Sequence, residues 1–167
     1  MGGSEEVASS VMDADRSRYN WSRLNGPQLG KYAEYLVKME FVLCGCDVYT
    51  AEVDDHGIDF VARTKAGNHF DVQVKSLLRT QYVFVPKDKF RIHPSNLLAL
   101  VRFVDGEAPL LFLIHSCVAG GPNPIFKSYD YGEGKKSAPE WGITVSKKKL
   151  AALIQDCGFH SVLEQLS

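Results

Sequence analysis

Gly57-Ile58-Asp59-Phe60-Val61-Ala62-Arg63 and, after Thr64 to His69, Phe70-Asp71-Val72-Gln73-Val74-Lys75-Ser76 are two β-strand signals rich in β-branched and aromatic residues. Side chains two apart in a strand share a face. Asp71, Gln73 and Lys75 therefore line one side of the second strand, and Phe70, Val72 and Val74 the other. Burying the apolar side leaves Gln73 and Lys75 together on a polar one.

The turn between the strands sets where Asp59 falls. A three-residue loop Lys65-Ala66-Gly67, with Gly67 in the left-handed conformation that glycine accepts, pairs Thr64 with Asn68 and brings Asp59 opposite Gln73. Directly opposed residues have Cβ atoms about 4.5–5.5 Å apart. A two-residue loop would put Asp59 opposite Val74, on the wrong face. The position of the glycine favours the first register.

An aspartate, a glutamine side-chain oxygen and a nearby backbone carbonyl make an oxygen-rich site suited to Mg²⁺, with Mn²⁺ as a substitute. Such a metal polarises a phosphate and lowers the pKa of a bound water. Lys75, one step further along the same face, is placed to orient that water or to offset charge on the phosphate. Glu34, beside the apolar stripe of the preceding helix, could reach the same metal.

That helix begins at Asn25-Gly26-Pro27, an N-cap followed by a proline tolerated in the first turn. Leu29, Tyr32, Ala33, Leu36, Val37, Glu40 and Leu43 recur at helical spacing, and Gly45 supplies the stop. Asp47 to Ala51 and Gln81 to Val85 read as strands. Leu97 to Val104 and Leu110 to His115 read as a hairpin joined by Asp105-Gly106-Glu107. Ala119 to Gly142 reads as loop. Ser146 caps a helix from Lys147 to about Asp156, and a short amphipathic helix on Val162, Leu163 and Leu166 closes the chain. The expected architecture is α/β or α+β: one central mixed sheet flanked by helices. Residues 1–24 are expected to form a flexible leader, and residues 25–167 a single domain.

The 167 residues suffice for one such core. No apolar run approaches the roughly 20 residues of a membrane span. Met1 to Ser10 lacks the basic and apolar segments of a signal peptide, so a cytoplasmic location is expected. A formal charge of −1 argues against a module that only grips the nucleic-acid backbone, but not against an enzyme whose acidic metal site offsets basic patches such as Lys147-Lys148-Lys149. Cys44, Cys46, Cys117 and Cys157 read as reduced thiols. Asp54-Asp55-His56 reads as a turn, and His69, His93, His115 and His160 have no ligand-like spacing.

Taken together, Glu34 in Gly30-Lys31-Tyr32-Ala33-Glu34, Asp59 in Gly57-Ile58-Asp59 and the Gln73-Val74-Lys75 element resemble the PD-(D/E)XK nuclease superfamily. That superfamily's core pattern is an acidic residue on the first helix, an aspartate on one strand and (D/E)-X-K on the next. Gln73-Val74-Lys75 looks like the Q-X-K variant, and the "GID … QVKS" signature is similar to that of small bacterial members. The resemblance spans Gly30 to Ser76. It implies a restriction-endonuclease-like fold and Mg²⁺-dependent hydrolysis of DNA phosphodiesters, in defence or mobile-element biology. Glu34, Asp59, Gln73 and Lys75 would be the catalytic set, with Glu34, Asp59 and Gln73 on the metal. Gln73 departs from the acidic consensus and removes a charge from that site. The alternative is therefore a catalytically weak nuclease-fold module that binds nucleic acid or a protein. The apolar Leu97 to Ile114 hairpin also leaves room for a homodimer.

Overall fold

The computed structural model describes residues 18–50, 57–79, 81–121, 125–132 and 137–166. Helix α1 spans Gly26–Leu43 and opens on the expected cap: the Asn25 side chain accepts from the Gln28 N–H, and the Gln28 side chain accepts in return from the Asn25 N–H. This reciprocal box satisfies two otherwise unpaired donors and is worth about 1 kcal/mol. Leu29, Ala33, Val37 and Phe41 recur every fourth residue and are the buried face of α1.

That face lies on a five-stranded mixed sheet in the order β1-β2-β3-β5-β6, built from β1 (Asp47–Tyr49), β2 (Phe60–Arg63), β3 (His69–Leu78), β5 (Asn96–Phe103) and β6 (Leu110–His115). Only β3 and β5 run parallel. A parallel pair needs a long crossover, and the crossover from Arg79 to Ser95 contains β4 (Tyr82–Pro86). β4 leaves the main sheet to join β8 (Glu140–Thr144) and β7 (Phe126–Tyr129) in a second sheet ordered β4-β8-β7. The stretch Ala119 to Gly142, expected as loop, thus supplies β7 and the start of β8.

β5 explains the layering. Asn96-Leu97-Leu98-Ala99-Leu100-Val101 has no period of two because both of its faces are covered. Leu97, Ala99, Val101 and Phe103 join Phe60, Ala62, Phe70, Val72 and Val74 beneath α1. Leu98 and Leu100 join Leu77, Val85, Phe126 and Ile143 between the two sheets. Helix α2 (Lys147–Cys157), capped by Ser146, adds Leu153 and Cys157 to that second core. Helix α3 (Phe159–Leu166) adds Phe159 and Leu163 to the first. Both faces of the β5–β6 hairpin are thus packed within the protein, with β6 at the edge of the sheet.

Part of the expected leader, residues 1–24, is packed on the domain. Residues 1–17 lie outside the described part, but Trp21, in a 3-10 turn at Trp21–Arg23, is buried with its ring centre 4.7 Å from that of Phe103. Its indole N–H donates to the Glu107 carbonyl at 3.0 Å, and Ser22 donates to the Asp105 carboxylate from both its N–H and its hydroxyl. Among the described residues no helix is long and apolar enough to cross a membrane.

Candidate functional site

The β2–β3 turn takes the register expected of it. Gly67 has φ +88°, Thr64 N–H donates to Asn68 O at 2.9 Å, and Phe60 pairs with Val72. Asp59 stands one residue before the ladder begins. Its N–H donates to Val72 O (2.9 Å), and its carboxylate accepts the Val74 N–H at 2.6 Å. A charged acceptor on a backbone N–H is among the stronger hydrogen bonds. It ties the Asp59 carboxylate to β3 at the residue between Gln73 and Lys75.

Gln73 and Lys75 alternate to the side of β3 opposite Val72 and Val74, where their β5 neighbours are Leu98 and Leu100. Lys75 is partly exposed, whereas Gln73 is only 6% exposed. The Gln73 side-chain oxygen is fully shielded and has no hydrogen-bond partner among the described residues. Leaving a buried acceptor unmade costs about 1–3 kcal/mol. The amide nitrogen of the same side chain presses on Gly57: a Cβ there would come within 3.1 Å of Gln73 Nε2 and 3.0 Å of Lys89 Cβ. With φ +79° as well, position 57 suits glycine on both counts, and the turn before Asp59 is wedged between β3 and the crossover.

Glu34 sits in a different layer. It projects from α1, which packs on the Phe70–Val72–Val74 face, whereas Gln73 and Lys75 belong to the other face. Its carboxylate, 18% exposed, pairs with Lys31 Nζ at 2.5 Å. That hydrogen bond is the largest influence raising the Lys31 pKa, and the Asp59 charge adds to it from further away. Glu34, Lys31 and Asp59 thus share one electrostatic neighbourhood, with Asp59 as the member that reaches β3. Among the described residues no group of three or more His, Cys, Asp or Glu side chains gathers in a way that could hold a metal ion. The candidate donors are the Asp59 carboxylate, the unsatisfied Gln73 oxygen and backbone carbonyls, with Glu34 in the layer of α1. Asp54, Asp55 and His56 lie outside the described residues.

Next to this cluster is an open cavity of about 340 Å³ lined by Ile58, Asp71, Asp88, Lys89, Arg91 and Asn96. The segment that carries Lys89 and Arg91 is held in place: Phe90 between them is buried, and the Asn96 side chain donates to the Arg91 carbonyl at 3.0 Å. Ser116, fully buried, accepts the His93 N–H at 2.9 Å and donates to the His93 carbonyl at 2.7 Å. The lining thus carries two cations, Lys89 and Arg91, on a fixed segment, and two carboxylates, Asp71 and Asp88. Sequence reading had not singled out Lys89 or Arg91, because a loop has no periodicity to mark it. The one available signal was two basic residues flanking a phenylalanine.

The four cysteines are free thiols: Cys46 and Cys157 are buried, Cys44 is partly so and Cys117 is exposed. His160 pairs with Glu40 at 2.9 Å on the surface, away from the cluster.

No family model matches the chain. No curated protein sequence matches it either. Among solved structures it is similar to a bacterial homing endonuclease, I-Ssp6803I, at 16% identity and a TM-score of 0.43, the match covering 86% of this chain and 99% of that one.

Proposed function

We propose that the protein is a metal-dependent nuclease-like enzyme of the PD-(D/E)XK type, acting on DNA phosphodiesters at the Asp59–Gln73–Lys75 cluster. The observation that carries this reading is the Gln73 oxygen: a buried acceptor with no hydrogen-bond partner among the described residues, two residues from Lys75 and next to the strand position that binds the Asp59 carboxylate. An orphaned oxygen beside a carboxylate fits a hard divalent cation, Mg²⁺ or Mn²⁺. Asp59 and Gln73 would hold it, with Glu34 adding negative charge from α1. When bound, the cation supplies Lewis-acid activation of water and of the phosphate. Lys75 contributes a positive charge on the same face, and Lys89 and Arg91 receive the phosphate backbone at the cavity wall. The expected setting is the cytoplasm, in defence or mobile-element biology.

A second reading is favoured by one feature. Gln73 is neutral, and no third carboxylate joins Glu34 and Asp59 among the described residues. The same surface would then bind nucleic acid with little or no turnover. Incubating plasmid DNA with the protein and Mn²⁺ or Mg²⁺ separates the two. The enzyme reading expects metal-dependent nicking or linearisation that is lost in Lys75→Ala, together with calorimetric Mn²⁺ binding that is lost in Asp59→Asn. Metal-independent DNA binding with no cleavage in any metal would leave the second reading standing. Equal metal binding by wild type and Asp59→Asn would remove the first.

A further inference from the structure

The three-stranded sheet turns Val83, Val85, Ile143 and Phe126 inward to the second core. Its other face carries Tyr82 and Phe84 on β4, Glu140, Gly142 and Thr144 on β8, and Lys127 and Tyr129 on β7. The outer face of a sheet is usually polar. Here Phe84 is 52% exposed and Tyr82 41% exposed. Gly142 sits between Phe84 and Lys127 in the pairing, and the tyrosines close over it: a Cβ at 142 would lie 2.5 Å from Tyr82 Oη and 2.6 Å from Tyr129 Cε2.

The rings are held in fixed orientations. The Tyr82 hydroxyl donates to Glu140 Oε1 at 2.8 Å and the Tyr131 hydroxyl to the same oxygen at 3.2 Å. The Tyr131 ring lies nearly parallel to that of Tyr129, 10° apart with centroids at 6.3 Å. The Lys127 ammonium is 5.1 Å from the centre of the Tyr129 ring. Beside Phe84 is a hollow of about 210 Å³ bounded by Pro86, Ser137, Ala138 and Glu140.

We propose that this face is a stacking platform for unpaired nucleobases, so that a single-stranded stretch of nucleic acid lies across Phe84 and Tyr82 with its phosphates toward Lys127, while Tyr129, stacked by Tyr131, backs the platform. The exposed rings of Phe84 and Tyr82 suit bases, which all present a π-face, and exposed aromatics on a sheet with an interleaved cation are how many single-strand binders work. Among the described outward strand positions Glu140 is the one opposing charge, and its Oε1 is taken up by the two tyrosine hydroxyls. Along the chain the platform leads to further cations: Pro86 ends β4, and Lys89 and Arg91 follow on the cavity wall. The proposal stands on this sheet's own surface and does not depend on cleavage at Asp59.

The test is fluorescence anisotropy of a fluorescein-labelled oligo(dT) 15-mer and of a labelled duplex, with the full chain in EDTA. Wild type is expected to bind the single strand more tightly than the duplex. Phe84→Ala should weaken single-strand binding about tenfold, the order expected for loss of one base stack, whereas Phe84→Tyr should retain it. Gly142→Ala, which must push the Tyr82 and Tyr129 rings aside, should weaken it while leaving both rings in the chain. Circular dichroism checks that these variants remain folded. His160→Ala, on the surface away from both regions, should bind the 15-mer as wild type does; if it abolishes binding, the loss is not specific to the platform and the proposal fails. No binding by wild type, or undiminished binding by both Phe84→Ala and Gly142→Ala, also overturns it. So does light scattering that shows a wild-type dimer dissolved by Phe84→Ala, since the face would then belong to a second copy of the chain.

Discussion

Gln73 joins a nearly complete burial to an acceptor with no partner among the described residues, a combination that folding alone does not favour. If that oxygen is kept for a cation, Gln73→Glu is the informative substitution. A carboxylate in the same shielded place has its pKa raised by burial above the unfolded value of about 4.3. Stability is then intact below that pH and falls as pH rises through the higher folded value. At pH 7 without metal the variant should be about 3 kcal/mol less stable than wild type, read as a lower melting temperature. Mn²⁺ should raise its melting point more than that of wild type, because the added charge strengthens the site. An unchanged metal response would argue that Gln73 serves packing alone.

At the scale of elements, the 3-10 turn at Trp21–Arg23 belongs to the domain. Trp21 fills the space beside Phe103 and Tyr32, while Arg79, with the non-glycine φ of +62°, donates to Ser22 Oγ at 2.6 Å. Removing a buried tryptophan costs about 3–5 kcal/mol. A chain starting at residue 25 should therefore melt about 10 °C below one starting at residue 18, by thermal denaturation of the two truncations. The last turn of α2 gives a pH-dependent companion. Burial pushes the Cys157 thiol up to about 11 from an ordinary value of 9.0. The neutral thiol is the form the core accepts, so its contribution is fully present below about pH 9 and is lost as pH rises toward 11. Iodoacetamide at pH 8 should label exposed Cys117 and spare Cys157, with mass spectrometry reading the order. Early labelling of Cys157 would mean that α2 opens locally.

For the molecule as a whole, a formal charge of −1 limits how tightly it can hold nucleic acid without specific contacts. The cations at the cluster are Lys75, Lys89 and Arg91. Neutralising about three phosphates gives a slope of log affinity against log salt near −3. Measured by anisotropy on duplex DNA with Ca²⁺ in place of Mg²⁺, wild type should show about that slope. Lys89→Ala with Arg91→Ala should reduce its magnitude by about two. A wild-type slope unaffected by the pair would move the binding surface away from the cavity.

Much of this was written in local sequence. Asn25-Gly26-Pro27 and the apolar recurrence to Leu43 specified α1, because cap chemistry and a 3.6-residue period act within a few turns. Gly67 specified the β2–β3 register, because a left-handed residue admits few hairpin loops. Phe126-Lys127-Ser128-Tyr129 carried no comparable signal. It became a strand by pairing with Glu140 to Ile143, and β8 in turn pairs with β4 from far earlier in the chain. Which face β5 leaves uncovered, not any property of those short segments, sets that sheet. The placing of Lys89 and Arg91 beside Asp59 follows from the same crossover, and the seating of Trp21 on Phe103 from the burial it completes. Glu34 marks the boundary between the two kinds of information. Its helical position was legible from spacing, but its layer, opposite Gln73 and Lys75, depended on which side of the sheet α1 covers.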